Sequence, residues 1–387
     1  DWYLYSDVFK SVRVIPLAMD KSVLLDDGWF GKRDTDDSGL GDWVVNEKKL
    51  GKPLAKLVEE VNELGMKFGI WVEPEMVSED SDLYRAHPDW ALAIPGRQPV
   101  RSRNQLVLDF SRPEVVDYIF EQLCMVLDKT NIEYLKWDMN RSISDVYSAI
   151  WQDQGEGRYR YVLGLYAFRE RRVTRYPDML IEGCSGGGGR FDAGMLYYTP
   201  QIWCSDNTDA IDRLRIQYGT SFGYPVSAVG SHVSAVPNHQ TGRYTPMKTR
   251  GVVAMAGSFG YELDLNKITE EEKTCVREQI QEYHKYWNLI HNGEYYRLTS
   301  PFEDEVAAWL FVAENQDEAL LNMVKLEAHG NPVTSYVRLK GLDKKAMYRD
   351  EETGRIYPGA GLICGGIPVP ASEGEYQAWQ MHLVKIR

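Results

Sequence analysis

The strongest constraint on this chain is a unit that repeats along its first two thirds. A short apolar run ends in a polar or charged side chain, and a stretch with helical spacing usually follows. Residues 23–25 end at Asp26-Asp27-Gly28-Trp29, residues 68–72 at Glu73-Pro74-Glu75, and residues 105–108 at Asp109. Residues 134–137 end at Asp138, residues 179–181 at Glu182-Gly183-Cys184, and residues 202–204 at Ser205-Asp206. Residues 225–229 read as a last short strand, and 12–17 as a candidate first one. Between them, 53–64 carries Leu54, Leu57, Val58, Val61 and Leu64 at helical spacing, with Gly65 placed to end it. Residues 113–127 open on Pro113, and 159–176 read as a helix with its arginines on the outer face. Residues 211–218 also read as helical.

Buried, non-alternating strands in alternation with helices imply a parallel sheet. A doubly wound sheet would gather its site at one crevice, behind a glycine-rich first turn. Here the polar endings recur around the whole series. That favours a (β/α)8 TIM barrel, whose site is built at the carboxyl ends of its strands. From Ser258 the pattern changes: 270–290 is a long amphipathic helix, and β-type segments follow at 307–312, 319–324, 333–339 and 376–384. The expected fold class is therefore α/β, a barrel over residues 1–292 followed by a small antiparallel β-sandwich over 293–387.

Composition narrows the partners. A formal net charge of −13 argues against nucleic acid and anionic membrane surfaces. No apolar run approaches the roughly 20 residues of a membrane span, and no signal-peptide pattern is read. The five cysteines show no metal-site spacing and read as reduced, which leans to a cytoplasmic location. Eleven Trp and 24 Tyr are enough to fill a core and still line a sugar site. No cofactor and no metal are expected; a homo-oligomer is left open.

Two of the strand-end acids suggest glycosidic chemistry. An oxocarbenium-like transition state needs a carboxylate on one face of the sugar and an acid at the leaving oxygen. Groups about 5–5.5 Å apart give a covalent intermediate and retention. Asp138 suits the nucleophile, with Lys136 two residues earlier on the same side of an extended strand to keep carboxylates ionised. A helix cap or a structural ion pair is the alternative for Asp138. Asp206 suits the acid/base, with Asp209 as its rival; Asp209 is better placed to start the helix near Ile211. Asp26 and Asp27 with Trp29, and Trp71 ahead of Glu73 and Glu75, could bind sugar hydroxyls and rings or could be turns with core aromatics. Arg103 is a bridge to a strand-end acid or a surface charge. The run Gly186-Gly187-Gly188-Gly189 lets backbone approach a ligand, and lacks the Lys-Ser/Thr ending of a phosphate loop. His232 and His239 read as structural.

Taken together, Leu25-Asp26-Asp27-Gly28-Trp29-Phe30-Gly31, Trp71-Val72-Glu73-Pro74-Glu75-Met76, Lys136-Trp137-Asp138-Met139-Asn140-Arg141, the four-glycine loop and Ser205-Asp206-Asn207-Thr208-Asp209 resemble glycoside hydrolase family 36, the melibiase-type α-galactosidases. Gly230-Ser231-His232-Val233-Ser234, the 238–243 segment and Gly260-Tyr261-Glu262-Leu263-Asp264 are similar to it too. The resemblance implies a metal-free retaining hydrolase acting on a terminal α-linked galactose, a small-molecule α-galactoside of melibiose or raffinose type. It implies Asp138 as nucleophile and Asp206 as acid/base. Asp26, Asp27, Trp71, Arg103, Lys136 and Asn140 would hold the galactose, and Cys184 and Gly187 would line its 2-hydroxyl. An α-N-acetylgalactosaminidase, a transglycosylase, or a galactose-binding fragment without turnover are the alternatives. The family's large N-terminal β-sandwich is not seen, and residues 1–21 lack its Asn-Asn-Trp-type motif, so the first barrel unit is expected to be replaced, remodelled or cut.

Overall fold

The computed structural model describes residues 12–17, 20–331, 333–371 and 374–386, with side chains from residue 22 onward. Most of the segment in which the missing motif was sought lies outside them. The chain forms two compact units. Among the described residues, one holds 12–14 with Asp20–Trp203; the other holds 15–17 with those from Cys204 onward.

Strand β1 (Val12–Leu17) is divided between the two units; in the first unit, strands β2 (Asp20–Leu25), β3 (Lys67–Val72), β4 (Ile132–Trp137), β5 (Leu180–Gly183) and β6 (Gln201–Ile202) lie in the order β6-β5-β4-β3-β2. Neighbours from β2 to β6 run parallel. Helices α1 (Leu54–Glu63), α2 (Pro113–Leu127) and α3 (Gly157–Arg175) connect them. Each helix lays one apolar stripe on the sheet: Leu54, Leu57 and Val58 from α1, and Val115, Val116, Ile119, Phe120 and Leu123 from α2. Gly164 of α3 meets the loop before α2 so closely that a Cβ would fall 1.7 Å from the Phe110 carbonyl oxygen.

Register decides where the chemistry goes. Val72 pairs with Trp137, Trp137 with Gly183, and Gly183 with Ile202. The hydrogen-bond ladder runs one residue further, with Asp138 N donating to Val72 O at 2.8 Å and Cys184 N to Trp137 O at 2.8 Å. Glu73, Asp138 and Cys184 therefore leave adjacent strands at one level, the carboxyl end.

In the second unit, α4 (Ala210–Thr220), β7 (Gly230–Ser234), α5 (Met247–Ala254) and β8 (Ser258–Glu262) continue the alternation, with β7 and β8 parallel. The 23-residue helix α6 (Glu270–Asn292) starts at a capping box between Thr269 and Glu272. A six-stranded antiparallel sheet follows, with Val306–Val312 and Glu318–Lys325 inside it and a two-stranded ribbon beside it. All seven residues of Val306–Val312 are buried. Ala307, Trp309 and Phe311 face one core with α6, while Val306, Ala308, Leu310 and Val312 face a second core with Val337, Leu339 and Ile367 of the ribbon side. The period of two of a strand thus serves two apolar faces at once.

Several expectations need correction. Of 105–108 only Leu106–Val107 is extended, and it pairs antiparallel with Met76–Val77, outside the parallel sheet. A short apolar run does not by itself say which sheet it joins. Residues 226–228 form a 3-10 turn; the strand is Gly230–Ser234, whose small polar residues hide it from a hydrophobicity reading. In α3, Arg169 and Arg172 are buried, not outward, because they fall on the stripe of Tyr161, Leu165 and Phe168. Strand β8, and Met347–Asp350 and Ile356–Pro358 in the antiparallel sheet, carry no marked signal.

Candidate active site

Asp138 is a buried acid on which several donors converge. It is 6 % exposed. Trp71 Nε1 donates to its Oδ2 at 3.1 Å, Asn140 Nδ2 donates to the same oxygen at 2.8 Å, and the Met139 amide donates to Oδ1 at 2.8 Å. The Cys184 thiol also donates to it. Burial is the largest influence on this carboxyl and pushes its pKa up. The Lys136 ammonium and the donors from Asn140, Cys184 and Trp71 together outweigh it, and hold Asp138 below the usual carboxylate range. A buried carboxylate kept anionic by convergent donors is what a nucleophile requires. It does not sit at a helix start, so the cap alternative falls.

Lys136 is itself buried, with Nζ 3.7 Å from Asp26 Oδ2. Asp26 accepts the Asp27 amide at 2.9 Å. Asp27 is held by a residue that sequence reasoning missed: Arg33 donates Nε to both its oxygens at 3.1 Å and Nη2 to Oδ2 at 2.9 Å. Trp71 is enclosed by Trp29, Phe30 and Trp43, and the Trp29 indole donates to the Trp71 carbonyl at 2.8 Å. Arg103, exposed, reaches Asn140 Oδ1 at 3.3 Å from a turn in which Arg103 and Asn104 both adopt positive φ. Cys184 opens the glycine loop. There the Ser185 amide donates to Gly187 O at 2.7 Å, and the buried Gly187 has φ of 84°.

Beneath these residues lie two buried acids. Glu75 accepts from Trp137 Nε1 at 2.9 Å, from Tyr161 at 2.6 Å, and from Arg190 Nη1 at 2.9 Å on each oxygen. The arginine at the end of the glycine loop is thereby tied under β4. Glu73 accepts from Gln105 Nε2 at 2.7 Å, from Asn140 Nδ2 at 3.2 Å, and from the Asn140 amide. Burial first, and the charge of Asp138 second, push its pKa up to about 7.

Asp206 belongs to the second unit, where it is exposed on the segment before α4. Its carbonyl accepts from Gln240 Nε2 at 3.3 Å. The segment is braced from below: Arg213 Nη1 donates to Ser205 O at 3.1 Å, and Ser234 and Asn238 donate to Thr208 at 2.8 and 3.1 Å. Asp209 is the N-cap of α4, accepting the Ile211 and Asp212 amides at 3.0 Å, and it also receives Thr241 and Arg243. Its oxygens are committed to structure, as expected. His232 is buried, with Nδ1 3.5 Å from Glu262. Among the described residues no helix is long and apolar enough to cross a membrane, and no group of three or more His, Cys, Asp or Glu is placed to hold a metal ion.

The Melibiase family model matches residues 15–293, and the glycosyl hydrolase family 36 C-terminal domain matches 306–383. The chain belongs to the melibiase family. Among its relatives, the bifunctional alpha-galactosidase/sucrose kinase AgaSK of Mediterraneibacter gnavus is 62% identical over 365 residues, covering 94% of this chain and 38% of that protein. Alpha-galactosidase AgaA of Geobacillus stearothermophilus is 52% identical over 367 residues, 94% of this chain and 50% of AgaA. The chain thus spans half or less of the length of these relatives. The crystal structure of the family 36 alpha-galactosidase AgaA superposes with a TM-score of 0.92 at 51% identity, covering 94% of this chain and 51% of AgaA. The galactosidase domain of AgaSK gives 0.91 at 62% identity, with 94% and 50% covered. The fold class expected from the sequence, a parallel α/β barrel class followed by an antiparallel β domain, is the fold class of this family.

Proposed function

We propose that the chain carries a retaining exo-α-galactosidase activity toward terminal α-linked galactose in raffinose- and melibiose-type oligosaccharides, with residues 1–292 as the catalytic part and 293–387 as its β domain. The observation that carries this reading is the Asp138 carboxylate, buried at a strand end and kept anionic by Lys136, Asn140, Cys184 and Trp71. Relatives point the same way: variants of AgaA are described in complex with raffinose and with stachyose.

In the first step an Asp138 oxygen attacks the anomeric carbon. The bond to the leaving oxygen breaks as Asp206 gives that oxygen its proton. In the second step Asp206 takes a proton from water, which displaces Asp138 and returns the anomeric carbon to its starting configuration. Asp26, Asp27, Lys136, Asn140 and Arg103 supply a charged, hydrogen-bonding wall suited to sugar hydroxyls, and Cys184 and Gly187 a close-fitting one.

The test is product stereochemistry with chemical rescue. Proton NMR of melibiose cleavage should show α-galactose first. Azide should rescue Asp138→Ala with an activated aryl galactoside and yield β-galactosyl azide; it should rescue Asp206→Ala and yield the α-azide. Initial release of β-galactose, or rescue with the configurations exchanged, would overturn the assignment.

A further inference from the structure

The proposed mechanism leaves one buried acid of the site without a task. Glu73 has no exposed surface, and all three of its hydrogen bonds are donated to it, by Gln105 and Asn140. Two of the three come from Asn140, through its backbone amide and its side chain.

The orientation of the Asn140 carboxamide follows from this. Its two side-chain N–H bonds go to Glu73 Oε2 at 3.2 Å and to Asp138 Oδ2 at 2.8 Å, while its oxygen receives Arg103 Nη1 at 3.3 Å. Turned over, the carboxamide would set its oxygen against two carboxylates and its N–H groups against a guanidinium. A carboxylate at position 73 makes that turned state costly; a group able to donate would make it favourable on that side. The third partner extends the same control. Gln105 Nε2 donates to Glu73 Oε1, and Gln105 closes the turn Ser102–Gln105 that carries Arg103, its amide donating to Ser102 O at 3.3 Å. Arg141 locks the base of that turn from the other side, donating to the Gln105 and Val100 carbonyls at 2.7 and 2.6 Å. One buried carboxylate therefore holds Asn140 directly and, through Gln105, the turn that carries Arg103.

We propose that Glu73 is a positioning residue of this site: it aims the Asn140 carboxamide so that its N–H serves the Asp138 carboxylate and its oxygen receives Arg103. The role rests on the reading of Asp138 as the nucleophile. Glu73 has no exposed surface and acts mainly through Asn140, with Gln105 as a weaker second link to the turn that carries Arg103.

The experiment is a double-mutant cycle of Glu73→Gln with Asn140→Ala in the full chain, read by kcat and KM on 4-nitrophenyl α-galactoside above pH 7, where the Glu73 carboxyl is ionised. Loss of one hydrogen bond to a charged group predicts a fall in kcat of about ten- to a hundredfold for Glu73→Gln, with KM moving much less. In the Asn140→Ala background the same change should cost less than about twofold, because its effect has already been removed. Equal losses in both backgrounds would overturn the proposal, as would an unchanged kcat alongside a lowered melting temperature, the mark of a merely structural acid. A readout independent of turnover keeps this apart from the galactosidase reading. In asparagine-labelled protein, the Asn140 side-chain amide protons should exchange slowly in the wild type and at least tenfold faster in Glu73→Gln. Unchanged exchange refutes the positioning role even in an active enzyme. An inactive wild type with the expected exchange pattern refutes the galactosidase reading and leaves the aiming of Asn140 standing. Should Glu73→Gln fail to fold, Glu73→Asp withdraws the carboxylate by one methylene and is read by the same two criteria.

Discussion

Trp71 Nε1 donates a hydrogen bond to Asp138 Oδ2 at 3.1 Å, across 67 positions of sequence. The indole is only 3 % exposed and packs among Trp29, Phe30 and Trp43. In this structure Trp71 is at once a core residue and a partner of the proposed nucleophile.

Trp71→Phe should separate those two roles. Phenylalanine keeps most of the packing and removes the donor. A hydrogen bond to the charged form lowers a carboxyl pKa, so its loss raises that of Asp138. The acid limb of kcat/KM should move to higher pH, and kcat at neutral pH should fall about tenfold. An unmoved limb would mean that the bond contributes nothing to the charge of Asp138.

Glu73 gives a pH dependence of stability. Its carboxyl titrates near 4.5 when exposed and is pushed up to about 7 here, by burial first and by the Asp138 charge second. Between those values the folded state binds more protons than the unfolded one, so stability from this group is lost as pH rises through the window. The loss amounts to about 3 kcal/mol. Urea denaturation should show it in the wild type and not in Glu73→Gln. In Asp138→Asn the repulsion is gone, Glu73 titrates lower, and the loss shrinks.

Arg169 is a liability. Its side chain is fully buried over the Trp137 ring at 4.3 Å, and none of its three nitrogens has a hydrogen-bond partner. Burial drives its pKa down to about 9. Replacing a buried, poorly satisfied charge with an apolar side chain of similar length is commonly stabilising by about 1–4 kcal/mol. Arg169→Met should therefore raise the melting temperature by several degrees. A lower melting temperature would show that the cation–π contact and the nearby Glu75 charge outweigh the desolvation cost.

Arg190→Leu should do the opposite. It leaves the fully buried Glu75 without the Nη1 group that reaches both its oxygens, with only Trp137 and Tyr161 still donating. The expected cost is about 3 kcal/mol, the low end for a broken buried pair, because Arg169 remains nearby. The glycine loop should loosen with it, seen as faster amide exchange over residues 184–190.

Much of this is legible in the sequence. The apolar run ahead of Asp138 is β4, the helix-start role of Asp209 is its N-cap geometry, and the Pro113 and Gly65 signals mark real helix ends. What stayed hidden was partnership at long range. Nothing in Arg190 directs it to an acid 115 positions earlier. Such pairs are chosen by the register of strands, which depends on the whole sheet. Arg169 and Arg172 were misplaced for a related reason. Charge suggests an outer face, while helical phase puts both on the inner one.

The strand Val306–Val312 turns one row of side chains toward α6 and the other toward the ribbon. Tyr283, Tyr286, Leu289 and Ile290 of the helix share their core with Trp309 and Phe311 of the sheet. A cut at the junction near Gly293 would strip both halves of their greasy lining, and each should clump rather than survive alone. Grafting a foreign β domain onto this chain would have to carry its own version of the last helix along.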